Sequence, residues 1–186
     1  MILFIDTHAE LITIALKNKD KLYIKTKESE YSHSVFTMPM IEEIFKENKL
    51  DVKDLNKIIV VNGPGSFTGI RIGLSIAKTM AYALKIDINT ISSLTAYLVS
   101  NNTNEKRKAV IEDNKGFYIS VFDENNNPIV PEYYSEEDNE DYPQVEEKLD
   151  VEKIIDYCSN MESENPHFVK ANYIKKIEVE KWYKKN

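Results

Sequence analysis

Gly63-Pro64-Gly65-Ser66-Phe67-Thr68-Gly69-Ile70-Arg71-Ile72-Gly73 holds four of the five glycines in a chain of 186 residues. An apolar, β-branched run, Ile58-Ile59-Val60-Val61, precedes it, and a periodic segment from about Thr68 to Leu84 follows. The stretch therefore reads as strand, tight turn and helix, with Ser66 or Thr68 placed to cap the helix by accepting a backbone N–H. A helix N-terminus fed by glycines suggests a phosphate cradle, because it collects amide donors. The spacing argues against the familiar forms. A P-loop needs Lys after its last Gly, where this chain has Ile70, and a dinucleotide loop needs Gly-x-Gly-x-x-Gly, where three residues separate Gly65 from Gly69.

Within the helix, Gly69, Gly73, Ala77 and Ala81 recur every four residues and form one stripe of small side chains. A mid-helix Gly costs about 1 kcal/mol relative to Ala, so two of them need a packing reason. Either this stripe meets the domain's own sheet or a neighbouring helix, or it meets a helix of another subunit. Ile72, Ile76 and Met80 flank it on one side, Ile70 and Leu74 on the other, which is more apolar surface than one core-facing side needs. The flanking apolar residues favour the second.

The composition, 42% hydrophobic and 10% aromatic, is that of a folded globular chain. A single cysteine, Cys158, excludes an internal disulfide and a multi-cysteine zinc site, which fits a reducing cytoplasm. Met1 to Ile5 is apolar but ends at Asp6 without a basic flank, so it reads as a strand and not an export signal. No stretch has the length of a membrane span. The net charge of −7 is uneven, near neutral over residues 1–104 and strongly negative over 105–186. An acidic second half disfavours direct nucleic-acid binding.

Read in order, residues 2–5, 11–16 and 22–24 are three antiparallel strands. A helix from about Ser32 to Asn48 follows, with Val35, Met38, Ile41 and Phe45 on one face and Phe36, Met40 and Ile44 beside them; Pro39 should bend it or mark its start. The strand at 58–61, the glycine turn and its helix, a strand near 88–91 and a helix over 93–100 complete the first half. Asn101 to Lys106 reads as a linker, and residues 1–104 and 105–186 as the two halves. Beyond it three strands return, at 108–111, 117–122 and 129–134. Residues 135–147 form an acidic stretch expected to be a solvated, mobile loop; Val151 to Met161 reads as a helix and Lys170 to Lys185 as a basic amphipathic tail. Two halves that each open with three antiparallel strands suggest the duplicated α/β fold of actin-like ATPases, the second half abbreviated. The phosphate-binding turn of that class needs glycine; here it is Asp6-Thr7-His8-Ala9-Glu10. On chemistry alone this is an ATPase-type scaffold without its ATPase site.

Ile5-Asp6-Thr7, His33 ahead of Pro39-Met40-Ile41, and above all the glycine stretch resemble the TsaB (YeaZ) family over residues 1–100. The resemblance implies an actin-like (RNase H-like) fold and a non-catalytic subunit of the bacterial machinery that places threonylcarbamoyl on the adenosine beside the tRNA anticodon. It implies a TsaD-type catalytic partner, a TsaE-type ATPase partner, a homodimer when alone, and only indirect contact with tRNA. No cofactor is expected on this chain, with ATP and metal on the partners. The family's contacts through its first two helices put the interface at Gly69, Gly73, Ala77, Ala81, Ile72, Ile76, Met80, Met40 and Ile44. The motif loop comprises Gly63, Pro64, Gly65, Ser66, Phe67, Thr68 and Arg71. The second half departs from the family: Glu112-Asp113-Asn114 stands where Asp-Ala-Arg is frequent.

His33 lacks the partner histidine a metal site would require. There is no His-Glu-x-x-His and no activated Ser or Cys pair for a peptidase. The competing reading is a small ATP-dependent or peptidase-like enzyme of the actin-like class. Asp6 could hold a water or ion or order its turn, and Arg71 could pair with a carboxylate at an interface or contact an anion.

Overall fold

The structure is a computed structural model, and it describes residues 1–29, 32–101 and 103–175. Three antiparallel strands, β1 (Ile2–Asp6), β2 (Leu11–Asn18) and β3 (Lys21–Glu28), lead into α1 (His33–Asn48). A short 3-10 turn at Val52–Asp54, β4 (Lys57–Val61), α2 (Phe67–Leu84), β5 (Asp87–Ile91) and α3 (Ser93–Ser100) follow. The remainder comprises β6 (Arg107–Asp113), β7 (Gly116–Phe122), β8 (Pro128–Ser135) and α4 (Val151–Ser159). The first five strands form one sheet in the order β3-β2-β1-β4-β5, with β4 and β5 parallel to β1 and β2 antiparallel to its neighbours. The last three form an antiparallel sheet, β6-β7-β8. This is the order of an actin-like half followed by the opening strands of a second.

Strand alternation sorts the core. Leu3, Ile5, Ile58 and Val60 point to the face covered by α1 and α2, while Phe4, Ile59 and Val61 point to the other. That other face is closed by Val151, Ile154, Ile155 and Cys158 of α4. Conversely Leu94, Tyr97 and Leu98 of α3 pack with Ala109 and Phe122 of the second sheet. Each half thus places its last helix on the other half's sheet, so the sheets separate near residue 104 and the cores do not. Arg107, 1% exposed, staples this junction. Its guanidinium donates to the Leu98, Glu105 and Asp123 carbonyls and to the Asn126 side chain.

Two expectations change. Residues 135–147 are laced to β6: Lys108 Nζ donates to Asp138 and to the Glu140 carbonyl at 2.6 Å, Lys108 N to the Pro143 carbonyl, and Val145 N to the Lys108 carbonyl. A buried lysine supplies the counter-charge that the acidic run lacks on its own. The helix α1 also begins at His33, so Pro39 does not mark its start. Of the tail expected over Lys170–Lys185, residues 170–175 form no helix and end a strap that starts further upstream, and the rest lies outside the described residues. The strap begins after α4, where Glu164 N donates to the Ile88 carbonyl on the edge strand β5. It continues past Val169, buried in the first core, to Asn172, whose N–H reaches the Asn62 carbonyl.

Candidate functional site

The β1–β2 turn is where the actin-like scaffold would hold phosphate, and here protein groups close it. Asp6 Oδ1 accepts both the His8 backbone N–H at 3.0 Å and the His8 ring at 2.7 Å. The other ring nitrogen lies 2.8 Å from the Tyr97 hydroxyl on α3. Burial opposes the charged imidazolium, but the Asp6 carboxylate, with Glu147 beyond it, outweighs that and holds the His8 pKa above its usual value. Burial and the same two carboxylates push the Tyr97 phenol up. Asp6 therefore orders the turn by holding His8.

The glycine turn presses against this arrangement. Gly63, at φ +106°, and Gly65, at φ +149°, adopt backbone that favours glycine. Ser66 N donates to the His8 carbonyl at 2.7 Å, and Ser66 Oγ caps α2 by accepting from Gly69 N. The Ser66 amide that could have greeted a phosphate is spent on His8. A Cβ on Gly65 would stand 2.3 Å from the His8 carbonyl oxygen. His33, at the start of α1, is buried, and its Nε2 donates to the Ala9 carbonyl at 2.9 Å. Among the described residues no group of three His, Cys, Asp or Glu side chains converges to hold a metal. Nor is any helix there long and apolar enough to cross a membrane.

The small stripe is corrected. Gly69, Gly73, Ala77 and Ala81 are all buried, and a Cβ on Gly73 would lie 2.3 Å from Thr7 Oγ1 and 3.5 Å from Ile5. The stripe lets α2 settle onto its own β1 and the turn after it, leaving no surface for another subunit. Met40 and Ile44 are likewise inside the first core. Of the expected interface, Ile72, Ile76 and Met80 remain half-buried on the outer side of α2. Beside them α1 exposes Val35 (61%) and Met38 (38%), and Met38 and Met80 line one apolar groove of about 530 Å³ together with Phe45, Leu50 and Val52. The spacing puts Val35 and Met38 on one face with Ile41 and Phe45; the structure parts them, because the helix turns Thr37, Met40, Ile41 and Ile44 inward.

In the motif loop, Phe67 is 53% exposed and Arg71 stacks on it, the guanidinium carbon 3.7 Å from the ring centroid. Arg71 Nε donates to the Tyr173 hydroxyl at 2.9 Å. The sequence reading gave no hint of Tyr173 as a partner, since about a hundred residues separate the two.

These features define an α/β protein of actin-like fold whose β1–β2 turn is filled by its own side chains and whose α1–α2 face carries an apolar groove. A family model described as TsaD, tRNA N6-adenosine threonylcarbamoyltransferase, matches residues 24–113. The chain is 34% identical over 118 residues to the tRNA threonylcarbamoyladenosine biosynthesis protein TsaB of Buchnera aphidicola (strain Bp), covering 61% of this chain and 53% of that one. It is 42% identical over 99 residues to TsaB of Bacillus subtilis, covering 50% and 41%. With TsaB of Buchnera aphidicola (strain APS) it shares 29% identity over 94% of its own length and 82% of the relative's. The fold matches the YeaZ structure from Pseudomonas aeruginosa with a TM-score of 0.76 at 16% identity, over 92% of this chain and 98% of that one. In sequence and in fold the chain is therefore similar to TsaB (YeaZ) proteins. It spans about half the length of the first curated relatives it matches.

Proposed function

We propose that this chain is a non-catalytic subunit in tRNA threonylcarbamoyladenosine biosynthesis and docks to a TsaD-type transferase through the outer face of α1 and α2. The observation that carries the reading is the groove shared by Met38 of α1 and Met80 of α2, on helices that also leave Val35 exposed and Ile72 and Ile76 half-buried. A surface of this kind on adjacent helices is suited to a helical partner. The closed turn at Asp6 and His8 supports the absence of ATP chemistry on this chain alone, with nucleotide and metal carried by the TsaD-type and TsaE-type partners. The same face would serve a homodimer when the partner is missing, and tRNA would be reached only through the assembly. Cytoplasmic location follows from that role. Co-purification of the full chain with the TsaD-type protein of the same cell tests the reading. Retention of wild type and loss with a charge placed at Met80 is expected; equal retention of both would overturn the docking face. Saturable binding of ATP with magnesium by the isolated chain would overturn the non-catalytic role.

A further inference from the structure

On the side of α2 away from that groove, a cavity of about 640 Å³ opens between the two halves. Pro64, Phe67 and Ile70 wall it from the first half, Asp113 and Tyr118 from the second, and Tyr173 from the strap. Its lining is mainly apolar and aromatic, and it is large enough for two or three side chains. Arg71 stands at its edge, held by two rings: it stacks on Phe67, and its Nε is engaged by the Tyr173 hydroxyl, with the Tyr173 centroid 5.8 Å from the guanidinium carbon. The two terminal guanidinium nitrogens donate to no group among the described residues, and Arg71 forms no ion pair among them. By contrast Lys175, across the cavity, is already matched by Asp113 at 2.6 Å. An exposed guanidinium fixed in plane, with its outer edge unspent, is the geometry for bidentate capture of a carboxylate.

We propose that this cavity is a docking site for a segment of a second polypeptide in which a carboxylate stands beside an aromatic or bulky apolar side chain. The carboxylate takes the outer edge of Arg71, and the apolar side chain enters against Ile70 and Tyr118. Charge complementarity fixes the sign of the occupant, since Arg71 forms no ion pair among the described residues whereas Lys175 is matched by Asp113. Local donors disfavour a phosphate: Ser66 N, Gly69 N and Ile70 N of the adjoining turn are all spent within the protein. The acidic second half disfavours an RNA strand.

The chain contains two arginines, Arg71 and Arg107, so a nitrogen-15 spectrum of the guanidinium groups carries two signals, with buried Arg107 as internal reference. Wild-type protein is titrated separately with N-acetyl-Phe-Glu-amide, N-acetyl-Phe-Gln-amide, adenosine monophosphate and a short single-stranded RNA, each to about 10 mM where solubility allows, above the range of a millimolar site. The Arg71 signal is expected to move and saturate with the Glu peptide, to need at least about fivefold more of the Gln peptide, and to move little with the other two, while Arg107 stays still. Arg71→Lys, followed through the Tyr118 ring protons, should bind the Glu peptide several-fold more weakly because lysine lacks the planar fork. Equal response to the Gln peptide, a response to nucleotide or RNA in place of the Glu peptide, or no response at all would overturn the proposal. A shift of Arg71 on diluting the protein alone would assign the carboxylate to a second copy of this chain and overturn it too.

Discussion

A Cβ placed on Gly69 would stand 2.1 Å from the carbonyl oxygen of Thr7, and Thr7 in return donates its hydroxyl to the Gly69 carbonyl at 2.8 Å. Helix α2 and the turn after β1 are therefore in backbone contact, and the glycines of the stripe exist for that contact.

Gly73→Ala tests this one turn further along. Its new Cβ meets Thr7 Oγ1 at 2.3 Å on an element that cannot withdraw without moving β1, and overpacking of this kind costs about 1–3 kcal/mol. A fall in denaturation midpoint by circular dichroism is expected, with partner binding lost only in the temperature range where the fold is lost. A variant that melts like wild type yet fails to bind its partner would return the stripe to an interface role.

A charge in the α1–α2 groove should act the opposite way. Met80→Glu leaves a half-buried position wet in the free protein but buries an unpaired carboxylate in a complex. Unchanged melting and at least about tenfold weaker capture of the TsaD-type partner are the expected pair of results, read by calorimetry and surface binding.

The Asp6–His8 pair predicts a pH dependence with a definite sign. The His8 pKa lies above its ordinary value in the folded protein, because the Asp6 carboxylate overcomes the opposing effect of burial. The pair's contribution is thus fully present below the unfolded value of about 6.5 and fades as pH rises through the folded one. Urea unfolding of wild type and His8→Gln should show the largest gap near about pH 5.5 and a smaller gap near about pH 8.5. A gap that widens with pH contradicts the assignment.

Removing the amine of Lys108 should unlatch the acidic stretch. Lys108→Ala leaves the Glu140 carbonyl and the Asp138 carboxylate without their partner, a loss of about 1 kcal/mol, because the exposed carboxylate can turn to water. Proteolytic cleavage within residues 136–142 should accelerate in the variant and stay slow in wild type. Equal cleavage of the two would show that the stretch is held by other contacts.

Much of the architecture was legible because strand alternation and helical periodicity are local. The two triplets of strands, the strand at Ile58–Val61 and the helix after the glycine turn could be placed from spacing alone. The stripe shows where such reading stops: small residues every fourth position announce a close approach without saying whose backbone approaches. The acidic run misled for a related reason, since composition records its charges but not a lysine on a strand thirty residues earlier. Arg71 was flagged as a candidate contact, but Phe67 and Tyr173 meet around it only when the strap returns from the far end of the chain.

The crossing of α3 and α4 bears on the order in which the protein can be made. When the first five strands have emerged, Phe4, Ile59 and Val61 form an apolar face that Ala96 of α3 covers only in part. Val151, Ile154, Ile155 and Cys158 cover it, each side chain contributing about 1.5–3 kcal/mol by leaving water, which together rivals the whole net stability of a typical domain. During synthesis the first sheet is therefore an unfinished, adhesive surface until residue 158 clears the ribosome, and a nascent chain stalled before that point is a natural client for a chaperone.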